Sequence, residues 1–264
     1  MQRMQGREQA QAVRRAAREN RWSGSTRGAA PGQVQCNVAI LPGAEAAAFA
    51  AWCELNPSVA PIIAQTLPGD PFLPVLGEDI DLRIDLPAYR LFENGEDVGE
   101  AGDIHALWQP DWQGFAFGCS FSLEDALRAG GIPLDYERRG FGGAIYLTNI
   151  ATKACGAYAG PLIVSMRPIP ETHAAATLRL CERFPKLHGA PVHVGDPASI
   201  GIDLNRPLQS LGEPSVVGSE TPVFWACGVT TQYVIQHARP RRAVTHVSAR
   251  MLVTDLHIDD MEIS

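Results

Sequence analysis

Residues 114–131, GFAFGCSFSLEDALRAGG, decide the fold class, because an apolar run and a helical pattern follow one another within this short stretch. The run at 115–118 predicts a strand that ends at Cys119. Ser122 is a good N-cap, and acidic residues follow it in the first turn of a predicted helix. The stretch therefore predicts a strand that passes directly into a helix.

A second stretch, TPVFWACGVTTQYVIQHA at 221–238, has the same plan. Its strand ends at Cys227, and Thr230 can cap the helix that follows. Because such runs alternate along the chain, the α/β class is predicted. Each unit places a thiol at a helix N-terminus, where the dipole binds anions and lowers a thiol pKa. The alternative is that both cysteines are small buried residues in tight turns.

A third stretch, GPLIVSMRPIP at 160–170, predicts a buried strand that delivers Ser165 and Arg167 at its end. Arg167 stands between Met166 and Pro168, which is not the setting of a solvated surface charge. It is either a ligand for a substrate carboxylate or the partner in a structural ion pair.

The fourth stretch, HGAPVHVGDPASIGIDL at 188–204, is rich in turn residues. His193 and Asp196 are candidates for a general base and its orienting carboxylate. A histidine that binds a loop carbonyl is the alternative. With His188 and Asp203 they could also bind a divalent metal, although no familiar ligand spacing supports this.

The charged residues narrow the chemistry. The chain has 264 residues and a net charge of −7, so no bulk attraction to nucleic acid or an anionic membrane is expected. It contains 20 Arg but two Lys, Lys153 and Lys186, which disfavours Schiff-base chemistry. Most arginines are in helical or terminal stretches and are predicted to be solvated. Arg83 and Arg167 remain as candidates to bind a carboxylate.

Other function classes lack a motif. No nucleotide-binding glycine pattern or GxSxG is present, so no cofactor is predicted, while a divalent metal stays open. The six cysteines are widely spaced, no signal or membrane-spanning run occurs, and a cytoplasmic protein is expected. The expected partner is a small carboxylate substrate, without nucleic acid or membrane, and a homo-oligomer stays open.

The chain order predicts one main unit. Residues 1–33 are interpreted as a surface helix and a loop, and residues 34–264 as a single unit. Within it, a larger α/β part is predicted at 34–110 and 190–264, and a smaller subdomain at about 111–189. Local patterns predict a strand at 34–41, a helix at 44–53 and a hairpin turn at Asn94-Gly95.

Several blocks together resemble the D-glutamate cyclase family of bacterial hydro-lyases. They occur in the family's order from Val34 onward, and they are VQCNVAILP, DLRIDLPAYR, GCSFSLEDAL, YLTNI, GPLIVSMRP, HGAPVHVGDPASIGI, PVFWACGVTTQ and THVSARMLVTD. The resemblance implies an α/β sandwich with a smaller α+β part. It also implies a hydro-lyase acting on a small amino or hydroxy acid carboxylate, with conversion of D-glutamate to 5-oxo-D-proline and water as the named reaction.

That reaction allows roles to be assigned to the candidates. The catalytic residues would be Cys119, His193, Asp196 and Cys227, and the substrate-binding residues would be Arg83, Asn149, Ser165, Arg167 and Thr230. A base deprotonates the ammonium, and helix N-termini stabilise the oxyanion. One thiolate could instead form an acyl intermediate. Two other functions stay open: a racemase or epimerase that uses both cysteines, and a non-catalytic carboxylate-binding protein.

Overall fold

The computed structural model describes residues 2–263. Its α-helices are α1 (Gln2–Arg18), α2 (Gly43–Leu55), α3 (Ser120–Ala129), α4 (Ala174–Glu182) and α5 (Val229–Ala238). Its strands are β1 (Gln33–Pro42), β2 (Ile62–Gln65), β3 (Tyr89–Glu93), β4 (Glu96–Ala101), β5 (Trp112–Gly118), β6 (Ala144–Ala151), β7 (Pro161–Pro170), β8 (His193–Val194), β9 (Gln209–Ser210), β10 (Glu220–Ala226), β11 (Arg242–His246) and β12 (Leu252–His257). Short 3-10 helices are at Asp135–Arg139, Glu171–His173, Pro185–Leu187, Pro197–Ile200 and Ile258–Met261.

The strands form two sheets, and every strand pair in the described chain is antiparallel. The first sheet has the order β2-β5-β1-β11-β3-β4, and β12 also pairs with β1. The second has the order β8-β10-β7-β6-β9. Helices and sheets together confirm the predicted α/β class in its broad sense.

The two sheets draw on different parts of the chain. The first uses residues 33–118 and 242–257, and the second uses 144–226. Helix α5 contacts both β7 and β1, so it connects the two sheets. One hydrophobic core includes residues of both. The division into a larger part and a subdomain at 111–189 stays a prediction, although the second sheet extends well beyond residue 189.

Local patterns predicted several elements within two or three residues. The strand and helix expected at 34–41 and 44–53 are β1 and α2. The hairpin between β3 and β4 turns at Asn94 and Gly95, with φ of 51° and 80°. This left-handed pair matches the right-handed twist of the flanking strands, which explains the Asn-Gly sequence.

Helix α1 is less exposed than the sequence suggested. Arg14 is completely buried, and its Nη2 lies 2.6 Å from Asp79 and 2.9 Å from Asp255. Arg18 pairs with Asp79 and Asp85. The helix packs on β12, and Arg14 and Arg18 attach it to acidic residues of the main unit. In residues 2–263, no helix combines the length and apolar character needed to cross a membrane.

Candidate functional site

A cavity opens where β5 and β10 lead into α3 and α5. We call it the central cavity. Its polar and thiol-bearing lining residues are Asn37, Cys119, Ser120, Ser165, Arg167, Gln209, Ser210, Cys227, His246 and Ser248. Four of the nine sequence-predicted site residues are among them: Cys119, Ser165, Arg167 and Cys227. The two strand-to-helix junctions therefore meet at one place.

The caps of the two helices differ from those predicted. Helix α3 begins at Ser120, and Cys119 rather than Ser122 is its N-cap, accepting a hydrogen bond at Sγ from the Phe121 amide at 3.5 Å. Helix α5 begins at Val229 after Gly228, so Thr230 lies inside its first turn. Both helices thus start earlier than expected, and their first residues line the cavity.

Asn37 and Gly228 approach each other closely at the cavity wall. A Cβ on Gly228 would lie 2.1 Å from Cγ of Asn37, so no larger residue fits without movement. The side-chain Nδ2 of Asn37 in turn donates to the Gly118 carbonyl oxygen at 2.7 Å. This contact joins β1, β5 and the start of α5, and it sets the spacing of the two helix N-termini.

Arg167 forms a fully buried polar centre in the cavity wall, with 2% of its surface exposed. It lies in the middle of β7, not at its end as predicted, because the strand continues to Pro170. Its Nη1 donates to Ser165 at 3.1 Å and its Nη2 to Ser120 at 3.2 Å. The two hydroxyl oxygens are 3.4 Å apart. The guanidinium is thereby fixed between two hydroxyls that face the cavity.

Glu124 forms an ion pair with Arg167 at Nε, the guanidinium nitrogen that the two serines do not contact. The Nε atom of Arg167 donates to Glu124 at 2.6 Å, and Arg27 approaches the same carboxylate at 2.7 Å. Burial alone would lower the pKa of Arg167, but the Glu124 carboxylate raises it above its ordinary value. Arg167 therefore stays charged. Both readings of Arg167 from the sequence are compatible with this geometry, since the ion pair uses Nε and leaves the Nη groups toward the hydroxyls.

The thiols are less acidic than their position at helix N-termini suggested. Burial raises the pKa of Cys119 to about 12, and it also raises the pKa of Cys227. Hydrogen bonds from Phe121 and Val229 act in the opposite direction but do not outweigh burial. The expectation of a lowered thiol pKa is therefore wrong, and both cysteines are protonated at neutral pH.

His193 and Asp196 do not reach the central cavity and do not form the predicted base. Nε2 of His193 contacts the backbone oxygen of Asp196 at 2.8 Å and the Ser199 hydroxyl at 3.0 Å. The Asp196 carboxylate accepts from the Ala198 amide and caps a 3-10 helix. The loop alternative, in which the histidine binds a backbone carbonyl, describes this segment.

Three predicted binding residues also lie elsewhere. Arg83 forms an ion pair with Asp81, in which Nε donates to Oδ1 at 2.9 Å and Nη2 donates to Oδ2 at 2.7 Å. Its guanidinium also lies over the Phe72 ring. Asn149 is exposed on β6. The Thr230 hydroxyl accepts a hydrogen bond from the Ile163 backbone N–H and donates one to the Ile163 carbonyl, both at 3.1 Å. Local ion pairing and helix–strand bonding account for these residues.

Sequence reasoning missed Asn37, Ser120 and His246. His246 is the last residue of β11 and completely buried, yet it is one of the residues that line the cavity. Its position directly after Ala-Val-Thr, at the end of a short β-prone run, was the available signal; unlike the two cysteines, it is not followed by a helix. As for metals, the described residues contain no group of three or more His, Cys, Asp or Glu side chains arranged to hold one.

Comparison with known proteins gives a consistent result. The family model described as D-glutamate cyclase matches residues 113–255, which include every cavity-lining residue except Asn37. A relative from Afipia carboxidovorans is 46% identical over 92% of this chain and 90% of its own length. One from Bordetella pertussis is 48% identical over 91% and 87%. Both carry the name "Putative hydro-lyase".

Among solved structures, a nitrogen repressor-like protein from Methanococcus jannaschii is similar to 96% of this chain and 97% of its own. Its sequence identity is 13% and its TM-score is 0.41. The family match and the relatives confirm the resemblance predicted from the sequence blocks.

Proposed function

This chain belongs to the D-glutamate cyclase family, and from that premise we propose that it is a hydro-lyase whose active site is the central cavity. The substrate class is a small amino or hydroxy acid carboxylate. The specific reaction we propose is conversion of D-glutamate to 5-oxo-D-proline and water. The observation that carries the proposal is the buried, charged Arg167 held between two hydroxyls in a cavity that also contains two thiols.

Arg167, Ser120 and Ser165 are the proposed carboxylate site. A guanidinium has five N–H donors, of which three are used by Glu124 and the two hydroxyls. The remaining Nη hydrogens are available to a ligand. Each serine oxygen accepts from Arg167, so its own hydrogen is free to donate to a ligand or to the other serine. A carboxylate here would be bound by charge-assisted hydrogen bonds in a desolvated setting, where such bonds are strong.

The proposed reaction is balanced within the substrate. The α-amine forms a bond to the γ-carboxyl carbon, and one C–O bond of that carboxyl breaks. The ammonium loses two protons, and the departing oxygen gains both and leaves as water. No oxidant, reductant or external group is consumed, so the proposal requires no cofactor. The protein has to hold the α-carboxylate, move protons from nitrogen to oxygen, and stabilise the oxyanion.

Cys119 and Cys227 are the proposed proton carriers. With His193 and Asp196 outside the cavity, the two thiols and the His246 imidazole are the lining groups that can exchange a proton, and we assign this role to the thiols. A protonated thiol can donate to the departing oxygen and recover a proton from the ammonium, ending as it began. Because burial raises the pKa of both thiols, little thiolate is present to attack the carboxyl carbon. We therefore favour direct attack by the amine over an acyl-cysteine intermediate.

The two-cysteine racemase or epimerase is the second candidate, since both thiols line one cavity. In that reaction one cysteine removes the Cα proton and the other returns one. Incubation of D-glutamate in D₂O distinguishes the two: a racemase incorporates deuterium at Cα, whereas cyclisation leaves the Cα hydrogen in place. A cytoplasmic location fits both, because free amino acids are available there.

The test is turnover by purified protein. We expect 5-oxo-D-proline from D-glutamate, measured by chiral chromatography and mass spectrometry, and a lower rate with L-glutamate. A panel of small amino and hydroxy acid carboxylates tests the broader claim. Tight binding of these compounds by calorimetry without turnover of any would refute the enzyme and favour a carboxylate-binding protein.

A further inference from the structure

His246 is placed in the cavity wall by an interruption in the first sheet. The pairing of β1 with β11 ends at Ala39 opposite Thr245, one residue before Val38 and His246 would meet. Strand β12 pairs with β1 only from Cys36 backward. Val38 therefore lies in the gap between the two partner strands. The imidazole of His246 occupies this gap, with Nδ1 at 3.1 Å from the Val38 nitrogen and 3.2 Å from its oxygen.

The backbone of Val38 selects the tautomer of His246. Its amide hydrogen points at Nδ1 with hydrogen-bonding geometry, and a buried amide without an acceptor is rare and costly. A carbonyl oxygen tolerates a missing partner more easily. Nδ1 is therefore the acceptor, and in a neutral ring the proton is on Nε2.

Gln232 fixes the ring from the side of α5. Its amide nitrogen donates to the His246 backbone oxygen at 2.9 Å. The same nitrogen lies 3.5 Å from Nδ1 and 3.3 Å from Nε2, similar distances that place it over the ring face. It is a donor, so it does not accept the Nε2 hydrogen.

We propose that His246 acts as an uncharged hydrogen-bond donor, presenting its Nε2–H to an oxygen of the reacting carboxyl group. The identity of that carboxyl rests on the proposed function. As the amine attacks, negative charge develops on the carboxyl oxygens, and a fixed donor in a desolvated cavity stabilises it. The ring transfers no proton, because loss of Nε2–H from a neutral imidazole would leave an imidazolate.

The electrostatics of the cavity agree with this role. Burial lowers the pKa of His246 to about 4, so the ring is neutral at neutral pH. The titratable or charged groups that share the cavity with it are Arg167, Cys119 and Cys227, while α5 and β1 present the uncharged Gln232 and Asn37. Neither thiol is ionised at neutral pH, so no anion draws a proton onto the ring.

Two substitutions of His246 distinguish the role of Nδ1 from that of Nε2. His246→Asn leaves an amide near the position of Nδ1, where its oxygen can accept from Val38, but places no donor in the cavity. His246→Gln can place an amide N–H near the position of Nε2. We expect kcat/KM to fall about 100- to 1000-fold in His246→Asn and much less in His246→Gln, without loss of a limb of the pH profile. Equal losses with a lost limb would identify His246 as a base and overturn the proposal.

Imidazole ¹⁵N NMR tests the same proposal without turnover. In unmodified protein labelled at its seven histidines, with the His246 signals assigned from their loss in His246→Gln, we expect the Nε2–H tautomer from pH 6 to pH 8. We also expect the Nε2 signal to move when 5-oxo-D-proline is added. An Nδ1–H tautomer, a charged ring, or an unchanged signal at saturating ligand would overturn it. Absence of turnover in the wild type would instead refute the proposed function.

Discussion

The substitution Gly228→Ala is expected to force the side chain of Asn37 out of the cavity wall. Gly228 has φ −59° and ψ −19°, which alanine adopts without strain, so the backbone contributes nothing to the effect. The added Cβ would lie 2.1 to 2.3 Å from three atoms of the Asn37 carboxamide. Asn37 is 2% exposed, so its carboxamide is closely packed and can be displaced only toward the central cavity that it lines.

The expected cost follows from those contacts. Overpacking costs roughly 1–3 kcal/mol, and loss of the hydrogen bond to Gly118 costs about 1 kcal/mol more. The smaller conformational freedom of alanine in the unfolded chain returns about 0.4–1 kcal/mol. We therefore expect the free energy of unfolding to fall by about 1–3.6 kcal/mol, which corresponds to roughly 2–14 °C in Tm for a chain of this size. Turnover should fall as well, since the displaced carboxamide enters the cavity.

The assay is a double-mutant cycle by thermal and urea unfolding, with kcat/KM measured on D-glutamate. Asn37→Ala removes the three clashing atoms, so Gly228→Ala in that background should cost close to nothing. Gly24→Ala is the matched control, because a Cβ there meets no atom within 4 Å. The reasoning is refuted if Gly228→Ala is as stable as Gly24→Ala, or if it costs the same with and without Asn37.

Four further substitutions or titrations test the site. Arg167→Lys keeps the charge beside Glu124 but loses the fork, so the protein should fold while kcat/KM on D-glutamate drops roughly 100-fold or more; near-normal kinetics would contradict the carboxylate site. Alkylation of Cys119 by iodoacetamide, followed by peptide mass spectrometry, should still accelerate above pH 9, because its pKa is raised to about 12; a plateau like that of free cysteine, with a pKa of about 8.5, would show an ionised thiol. His193→Gln should leave turnover unchanged, and a large loss would return the base to the 188–204 loop. Burial lowers the pKa values of His188 and His246 to about 4, below the 6.5 of an unfolded histidine. Between these pH values the unfolded state binds more protons than the folded state. The free energy of unfolding is therefore highest above pH 6.5 and falls by ~3 kcal/mol per histidine as the pH falls toward 4. Urea unfolding measured at several pH values in this range should show that the free energy of unfolding changes less steeply with pH in His246→Gln than in the wild type.

The sequence predicted those parts of the site that depend on local patterns. Cys119 and Cys227 each follow an apolar strand and precede a helix, and this junction is encoded within a few residues. Arg167 stands inside an apolar run, where a charge must be paired, and its partner Glu124 lies on α3. These residues are in the central cavity because both junctions and β7 converge there.

The missed and misplaced residues depend on contacts between distant parts of the chain. His246 reaches Val38 across 208 residues of sequence, and no local pattern shows where β11 stops pairing with β1. His193 and Asp196 lie in a loop whose turn composition was recognised, but composition does not tell which surface the loop meets. Arg83 is two residues from Asp81 and pairs with it, so its environment is local and depends on a partner visible in the sequence.

The antiparallel arrangement of both sheets also explains an error of placement. Ser165 and Arg167 were expected at a strand end, as in parallel sheets whose sites lie at the carboxyl edge. In the second sheet β7 continues to Pro170 and is paired with β10 from Val164 onward, and the two residues lie within this paired part. The site is built on the face of this strand and on helix N-termini rather than on an edge.

The most direct test of the central claim, that this cavity is the active site, is a crystal structure of the protein with bound 5-oxo-D-proline. We predict the carboxylate within hydrogen-bonding distance of the Nη atoms of Arg167 and the hydroxyls of Ser120 and Ser165, with the ring oxygen toward Nε2 of His246. Product bound instead beside His193 and Asp196, or at Arg83, would contradict the account.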